Sequence, residues 1–229
     1  MSTLFIIPAR GGSKGIPKKN IKLLSGKPLI AYAIDLAKMF TDCENICVST
    51  DDVEIVKISK DLGVNPPFLR SQHLASDTAG MNDVILDAIQ FYETQGIFYD
   101  KAVVLQPTSP LRTFENVKQA LDMFTEDLEL VVSVKETSSN PYYVLFEENS
   151  DGFLEKSKPG VFLTRQECPI VYEYNGAVYV YSVSALKRKP ISAFSRIKKI
   201  LMNDIQSIDI DTPIDWEFAE FLLSKKQHS

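Results

Sequence analysis

Histidine is nearly missing from this chain: two of 229 residues, His73 and His228. That scarcity removes histidine-based catalytic triads and most zinc sites, which need several imidazoles or thiolates together. Cysteine is sparse as well. Cys43, Cys47 and Cys168 are an odd number without paired spacing, so no disulfide framework is expected and a reducing cytoplasm is. Cys43 and Cys47 have no second Cys/His pair with which to complete a metal site. No apolar run approaches the roughly 20 residues of a membrane span. The opening Met-Ser-Thr-Leu-Phe-Ile-Ile-Pro has no basic region of the signal-peptide kind. Positive charge is not in excess either: 25 Lys and Arg face 30 Asp and Glu, a net charge of −5. A broad cationic field for nucleic acid is therefore not expected, and a local basic cluster points to a small anion instead.

What is present suits one folded α/β domain spanning 1–229, with 45% apolar and 24% charged residues. Leu4 to Pro8 reads as a buried strand that opens onto a Gly/Ser/Lys-rich loop. A helix is expected over Pro28–Met39, a strand over Asn45–Ser49, and a helix over Val53–Leu62 capped by Asp51 or Asp52 and stopped by Gly63. Val64–Leu69 reads as a short strand, Asn82–Thr94 as a helix closed by Gly96, and Ala102–Leu105 as a strand opening onto the polar loop Gln106–Arg112. Thr113 caps a helix to about Phe124, and Leu130–Val134 is the next strand. The alternation predicts a parallel, twisted, three-layer sheet, with ligands beyond the carboxyl ends of its strands. Residues 137–170 break the pattern with Pro, Gly and aromatics in no helical period, and read as an inserted β-arm that makes a dimer contact. Strands at Val178–Val183, Ile197–Met202 and Ile205–Ile210 and a helix over Pro213–Leu223 complete the expected order.

The segment Pro8-Ala9-Arg10-Gly11-Gly12-Ser13-Lys14-Gly15-Ile16-Pro17-Lys18-Lys19-Asn20 carries the strongest signal. Its three glycines allow close backbone approach to an anion, and successive N–H groups can form an anion nest. Arg10, Lys14, Lys18 and Lys19 gather four cations in an otherwise acidic protein, which is the chemistry of a triphosphate site. Neither G-x-x-x-x-G-K-[ST] nor G-x-G-x-x-G is present, so the P-loop and dinucleotide fingerprints are excluded.

This loop, with Ser49-Thr50-Asp51, Gln106-Pro107-Thr108-Ser109-Pro110-Leu111-Arg112, Arg165-Gln166, Asn175-Gly176-Ala177-Val178-Tyr179 and Ser207-Ile208-Asp209-Ile210-Asp211 in that order, resembles the acylneuraminate cytidylyltransferases, the CMP-sialic acid synthetases. The resemblance runs nearly the whole chain. It implies a Rossmann-like three-layer sandwich with a mainly parallel twisted sheet and a protruding arm for homodimerisation. It also implies an enzyme that activates a nine-carbon 2-keto sugar acid with CTP and releases pyrophosphate. Neighbouring possibilities are a CMP-Kdo synthetase or another sugar nucleotidyltransferase, or a nucleotide-binding module without catalysis.

By the same resemblance Arg10, Ser13, Lys19 and Asn20 hold the CTP phosphates and ribose, Arg70 contacts the cytosine, and Gln106 and Tyr179 bind substrate. Arg165 works near nucleotide and sugar. Arginine's fork of donors suits the O2 and N3 acceptors of cytosine. Arg112 either binds a carboxylate or anchors its loop. Asp209 and Asp211, two residues apart on an expected strand, project from one face while Ile208 and Ile210 face the core. Two hard oxygen ligands of this kind suit Mg²⁺ bridging phosphates, and Thr212-Pro213 reads as the N-cap and first residue of the last helix. The proton acceptor stays open between Asp211 and a hydroxide held by the cation. The chain departs from the family pattern at Ala79, Gly80 and Met81 after Asp77, where serines are usual, and at Tyr143, where a lysine is usual. Phe194 is the one candidate for the family's aromatic pair near the sugar's acyl group. These departures bear on which sugar is taken.

Overall fold

The computed structural model describes residues 1–76 and 80–226, the Lys226 side chain excepted, so Asp77, Ala79 and His228 lie outside the described residues. In chain order the elements are β1 (Thr3–Pro8), the small hairpin β2 (Leu23–Leu24) and β3 (Lys27–Pro28), α1 (Leu29–Lys38), β4 (Ile46–Ser49), α2 (Val53–Asp61) and α3 (Met81–Thr94). They continue with β5 (Lys101–Val104), α4 (Phe114–Met123), β6 (Leu130–Glu136), β7 (Phe146–Glu148), β8 (Leu154–Lys156), β9 (Tyr172–Ser182), α5 (Val183–Arg188), β10 (Ile197–Leu201) and α6 (Pro213–Lys226).

Successive residues of β1 point to opposite faces, and both faces are apolar. Phe5 and Ile7 enter a core with Ile30, Ala33 and Ala37 of α1 and Val117 and Ala120 of α4. Leu4 and Ile6 enter a second core with Ile85, Ala88 and Ile89 of α3 and Leu186 of α5. Burial on both sides is why this strand reads as an unbroken apolar run rather than an alternation. The result is the expected three layers around a six-stranded sheet of order β10-β6-β9-β5-β1-β4.

β1 pairs in parallel with β4 and β5, and β10 with β6. The exception is β9, antiparallel to both β5 and β6. The chain steps from β1 to β4 on one side and then crosses to β5 on the other. A crevice therefore opens beyond the carboxyl ends of β1 and β5, where loops diverge.

Several expected boundaries hold. Asp52 caps α2 by accepting the Glu54 N–H, and Thr113 and Asn116 form a reciprocal capping box on α4. Gly63 and Gly96 end their helices with positive φ. Two expected strands are absent. Val64–Leu69 contributes only one isolated bridge, Thr50 to Leu69, because Pro66 and Pro67 remove two ladder donors. Ile205–Ile210 forms no strand: residues 204–207 are a turn, and the Ile210 N–H donates to Thr108 O at 2.8 Å instead of to a neighbouring strand. The strand expected at Val178–Val183 begins earlier, at Tyr172, and β9 hands over directly to α5.

Between β6 and β9 the chain makes the expected excursion, within which β7 and β8 pair as an antiparallel hairpin. At its root the β6–β9 register shifts between Val132 and Val134. Ser133 Oγ donates to Asn175 Oδ1 (2.6 Å) and accepts the Val178 N–H (2.8 Å), while Asn175 Nδ2 donates to Ser207 Oγ (2.9 Å). This buried network fastens the irregular stretch of β9 to the segment that leads into residues 208–211.

A third, smaller core lies beside the sheet. Ile16 from the glycine-rich loop, Leu24, Leu29, Ile210 and Trp216 and Ala219 of α6 are all buried in it. Lys22 Nζ sits 4.5 Å from the centre of the Trp216 ring. Replacing Trp216 by Ala is expected to cost about 3–5 kcal/mol of unfolding free energy, as for other buried aromatics, measured by urea denaturation. A loss under about 1 kcal/mol, the level of an ordinary substitution, would show that this core does not hold the loop.

Candidate active site

A cleft of about 520 Å³ opens at the divergence between β1 and β5. Pro8, Arg10, Ser13, Lys14, Gly15, Lys19 and Asn20 supply one wall; Gln106, Pro107, Thr108 and Asp211 supply another. Arg70, Leu74, Ser76, Met81 and Val84 close the end nearest α3. Arg10, Ser13, Lys19, Asn20, Arg70 and Gln106, all expected from the sequence, thus share one cavity.

The glycine-rich loop is held in place by contacts that only glycine permits. The Gly11 N–H donates to Asp51 Oδ1 at 2.9 Å, and a Cβ on Gly11 would fall 2.6 Å from Asp52 Oδ2. A Cβ on Gly15 would fall 2.2 Å from the Asp211 carbonyl oxygen, closer than any real Cβ contact. Asn20, buried, donates its Nδ2 to Arg10 O at 3.0 Å and so braces the loop from within. Asp51 or Asp52 was expected to cap α2; Asp52 does so, and Asp51 instead tethers the loop. The only sequence hint was two adjacent carboxylates at a strand end where a cap needs one.

Lys19 joins the two walls. Its Nζ donates to Ile210 O at 2.6 Å and to Asp211 Oδ1 at 3.0 Å. The side chain is 12% exposed whereas Asp211 is 72% exposed, so the ammonium is mostly covered where it lines the cleft while its partner carboxylate reaches into solvent. Lys18, its neighbour, pairs with Glu54 outside the cleft.

Asp209 lies beside this junction rather than on the cleft wall. Its Oδ2 approaches Gly176, where a Cβ would be 3.6 Å away. Desolvation pushes its carboxyl above the usual range and the nearby Asp211 adds to this, opposed by the Thr108 hydroxyl and by Lys19. Thr108 Oγ1 lies beside the carboxylate without the geometry of a full hydrogen bond. The two carboxylates therefore share one field, although no strand carries them; the main-chain bond from Ile210 to Thr108 and the burial of Ile210 fix their alternation instead.

Among the described residues no group of three or more His, Cys, Asp or Glu is placed to hold a metal. Two carboxylates alone fit Mg²⁺, a cation that keeps several waters and takes the remaining oxygens from phosphates.

Both buried arginines are more committed to the backbone than expected. Arg112 donates Nη1 to Gln106 O (2.7 Å) and Ala177 O (2.8 Å), so it anchors its loop to β9 and does not line the cleft. Burial lowers its pKa to about 9, against the pull of Asp209. Arg70 lines the cleft but donates Nη2 to Ser49 O at 2.8 Å. Tyr179 is half-buried between Tyr174 and Tyr181, with burial and the nearby Asp209 raising its hydroxyl. Arg165 is not brought to the cleft within one chain; it borders a separate groove with Lys135, Glu136, Thr137 and Asp204. Phe194 is buried in the second core against Tyr181 and is not part of the cleft wall.

Gly15→Ala should displace the loop from Asp211, lowering unfolding free energy by about 1–3 kcal/mol, the usual cost of overpacking. Gly12→Ala, whose Cβ would meet nothing within 4 Å, should stay within about 0.5 kcal/mol. Chemical denaturation of the pair checks this, and equal stabilities would contradict the tight loop–Asp211 contact.

The chain is 36% identical over its whole length to the CMP-N,N'-diacetyllegionaminic acid synthase of Legionella pneumophila, covering 99% of that protein. It is 35% identical over 94% of its length to the N-acylneuraminate cytidylyltransferase of Streptococcus agalactiae, and spans about half of that longer protein (52%). A solved CMP:2-keto-3-deoxy-manno-octonic acid synthetase complexed with CTP superposes with a TM-score of 0.72 at 17% identity, covering 99% of this chain and 100% of that one, which shows a shared fold. The family described as Cytidylyltransferase matches residues 4–226, and the chain belongs to that family of nucleotide-transferring enzymes.

Proposed function

We propose that the chain activates a nonulosonic, sialic-acid-like 2-keto-3-deoxy sugar acid with CTP, yielding the CMP-sugar and pyrophosphate. The observation that carries this reading is the position of Lys19, which binds the glycine-rich loop to Ile210 and Asp211 at the floor of the cleft. A triphosphate lying against that loop faces Arg10 and Lys19 on one side and Asp211 on the other. The similarity in sequence to synthases of CMP-legionaminic and CMP-neuraminic acids supports the sugar class.

In the proposed reaction the sugar's C2 hydroxyl attacks the α-phosphorus of CTP and gives up its proton to the carboxylate of Asp211, which is exposed in the cleft. The new C2–O–P bond forms as the bridge to the β-phosphorus breaks, and pyrophosphate leaves with the electron pair. Arg10 and Lys19 stabilise charge growing on the departing oxygens, and the closely seated loop fixes the triphosphate for in-line displacement. Mg²⁺, when bound at Asp209 and Asp211, would neutralise phosphate charge. Gln106 and Tyr179 are assigned to the sugar side, Ser13 and Asn20 to the phosphates and ribose.

A homodimer built through the arm is part of the proposal. Phe153, Val161 and Leu163 are 70%, 94% and 85% exposed there, an unusual amount of bare apolar surface on one excursion. The dimer would also give Arg165 a nucleotide to serve across the interface. Light scattering should return twice the chain mass, and a monomer at micromolar concentration would contradict the arm's assigned role. A cytoplasmic setting is supported by three unpaired cysteines, Cys43, Cys47 and Cys168. Among the described residues no helix is long and apolar enough to cross a membrane.

Pyrophosphate release with CTP and Mg²⁺, assayed against N-acetylneuraminic, legionaminic and pseudaminic acids and Kdo, tests the function. Release is expected with at least one nonulosonic acid, and about a hundredfold less with Lys19→Ala, the scale of losing one transition-state donor. Release with Kdo alone would favour the octonic-acid reading suggested by the fold neighbour. Tight CTP binding without release from any acid would contradict an active enzyme.

A further inference from the structure

α3 carries a carboxylate that the site described above leaves unused. Asp87 stands three residues beyond Val84, on the helix face that Val84 presents to the cleft. Its Oδ2 is buried without a hydrogen-bond partner among the described residues. Desolvation raises its carboxyl, opposed first by Arg70 and then by His73.

Arg70 has the complementary deficit. Its guanidinium is 5% exposed and lines the cleft. Nη2 is held by Ser49 O at 2.8 Å, Nη1 only loosely by Leu74 O at 3.4 Å, and the Nε–H is buried with no acceptor among the described residues. Desolvation lowers its pKa; Asp51 and Asp87 are the carboxylates that resist this, and Arg10 opposes them. Asp51 already accepts the Gly11 N–H with Oδ1. Of the two, Asp87 is the one with a buried oxygen that has no partner among the described residues. A buried N–H and a buried carboxylate oxygen, each without a partner and near enough to shift each other's ionisation, both carry a desolvation cost that pairing would remove.

We infer that Asp87 is a positioning residue for Arg70 and thereby a determinant of base choice. When a pyrimidine fills the cleft end between Arg70, Leu74 and Met81, Asp87 takes the Nε–H and fixes the plane of the guanidinium. Its Nη groups then meet O2 and N3 of the base. Both are acceptors in cytosine, whereas N3 of uracil carries a proton. A guanidinium held at its Nε end discriminates between these patterns; one free to swivel accepts either. The inference rests on the proposed reading of this cleft as the CTP site.

Calorimetric titration of the full chain with CTP and with UTP tests it, using Asp87→Ala, the isosteric Asp87→Asn, Arg70→Lys, and Asp83→Asn as a control on the same helix. Asp87→Ala should weaken CTP binding about tenfold, the scale of one charge-assisted hydrogen bond, and UTP binding less. The CTP:UTP ratio therefore falls. Asp87→Asn should lie between, since it keeps an acceptor but loses the charge, and Asp83→Asn should match the parent. The KM for the sugar acid should not move. An unchanged ratio in both Asp87 variants, with a lowered ratio in Arg70→Lys, would overturn this inference alone. An unchanged ratio in Arg70→Lys as well would overturn the base-site reading and this inference with it. Equal loss of CTP and UTP binding with a lower melting temperature would assign Asp87 a packing role and so overturn it.

Discussion

Lys19 and Ile210 meet at one carbonyl oxygen, and the geometry of the cleft depends on that meeting. An ammonium with most of its surface covered must replace the water it loses. Here it does so with the Ile210 carbonyl and one oxygen of Asp211. Ile210 is fixed three ways at once: its side chain lies in the small core with Ile16 and Trp216, its N–H is bound by Thr108 O, and its carbonyl by Lys19. The loop after β1, the loop after β5 and the segment entering α6 therefore converge on a single residue that itself does no chemistry. Isolated surface ion pairs contribute little; this one matters because apolar packing on the far side of the same backbone sets its geometry.

The glycines show the same economy of position. Gly11 and Gly15 are needed where the loop presses against Asp52 and against the Asp211 backbone, while Gly12 faces open space. Close approach at the two ends leaves the middle of the loop, with Ser13 and Lys14, directed at the cleft. A second brace comes from the opposite edge, where the Ser133–Asn175–Ser207 bonds tie the irregular part of β9 to residue 207. Asp209, beside Gly176, is thus steadied from the sheet as Asp211 is from the loop.

Much of this was legible in the sequence because it follows from local chemistry. The apolar run of β1, the Thr113 cap and the terminating glycines are read from one segment at a time, as is the cationic loop that lines the cleft. What escaped required knowledge of partners. Ile205–Ile210 has a strand's alternation, yet β10 takes the sheet edge beside β6, so the segment borrows the period of a strand while bonding to a loop. The direction of β9 escaped because alternation is the same whichever way a strand runs; the arm, by turning the chain back on itself, makes it antiparallel. Arg70 and Arg112 are equally buried, and neither resemblance nor charge foretold what separates them: Arg112 is spent on Gln106 O and Ala177 O, whereas Arg70 keeps a face in the cleft.

A crystal structure of the chain with CTP and Mg²⁺ tests the central claim most directly. The expected result places the β- and γ-phosphates against the 10–19 loop within hydrogen-bond reach of Arg10 and Lys19, with the cation between those phosphates and the carboxylates of Asp209 and Asp211. A triphosphate seated elsewhere, for instance in the groove beside Arg165 and Lys135 of the same chain, would contradict it.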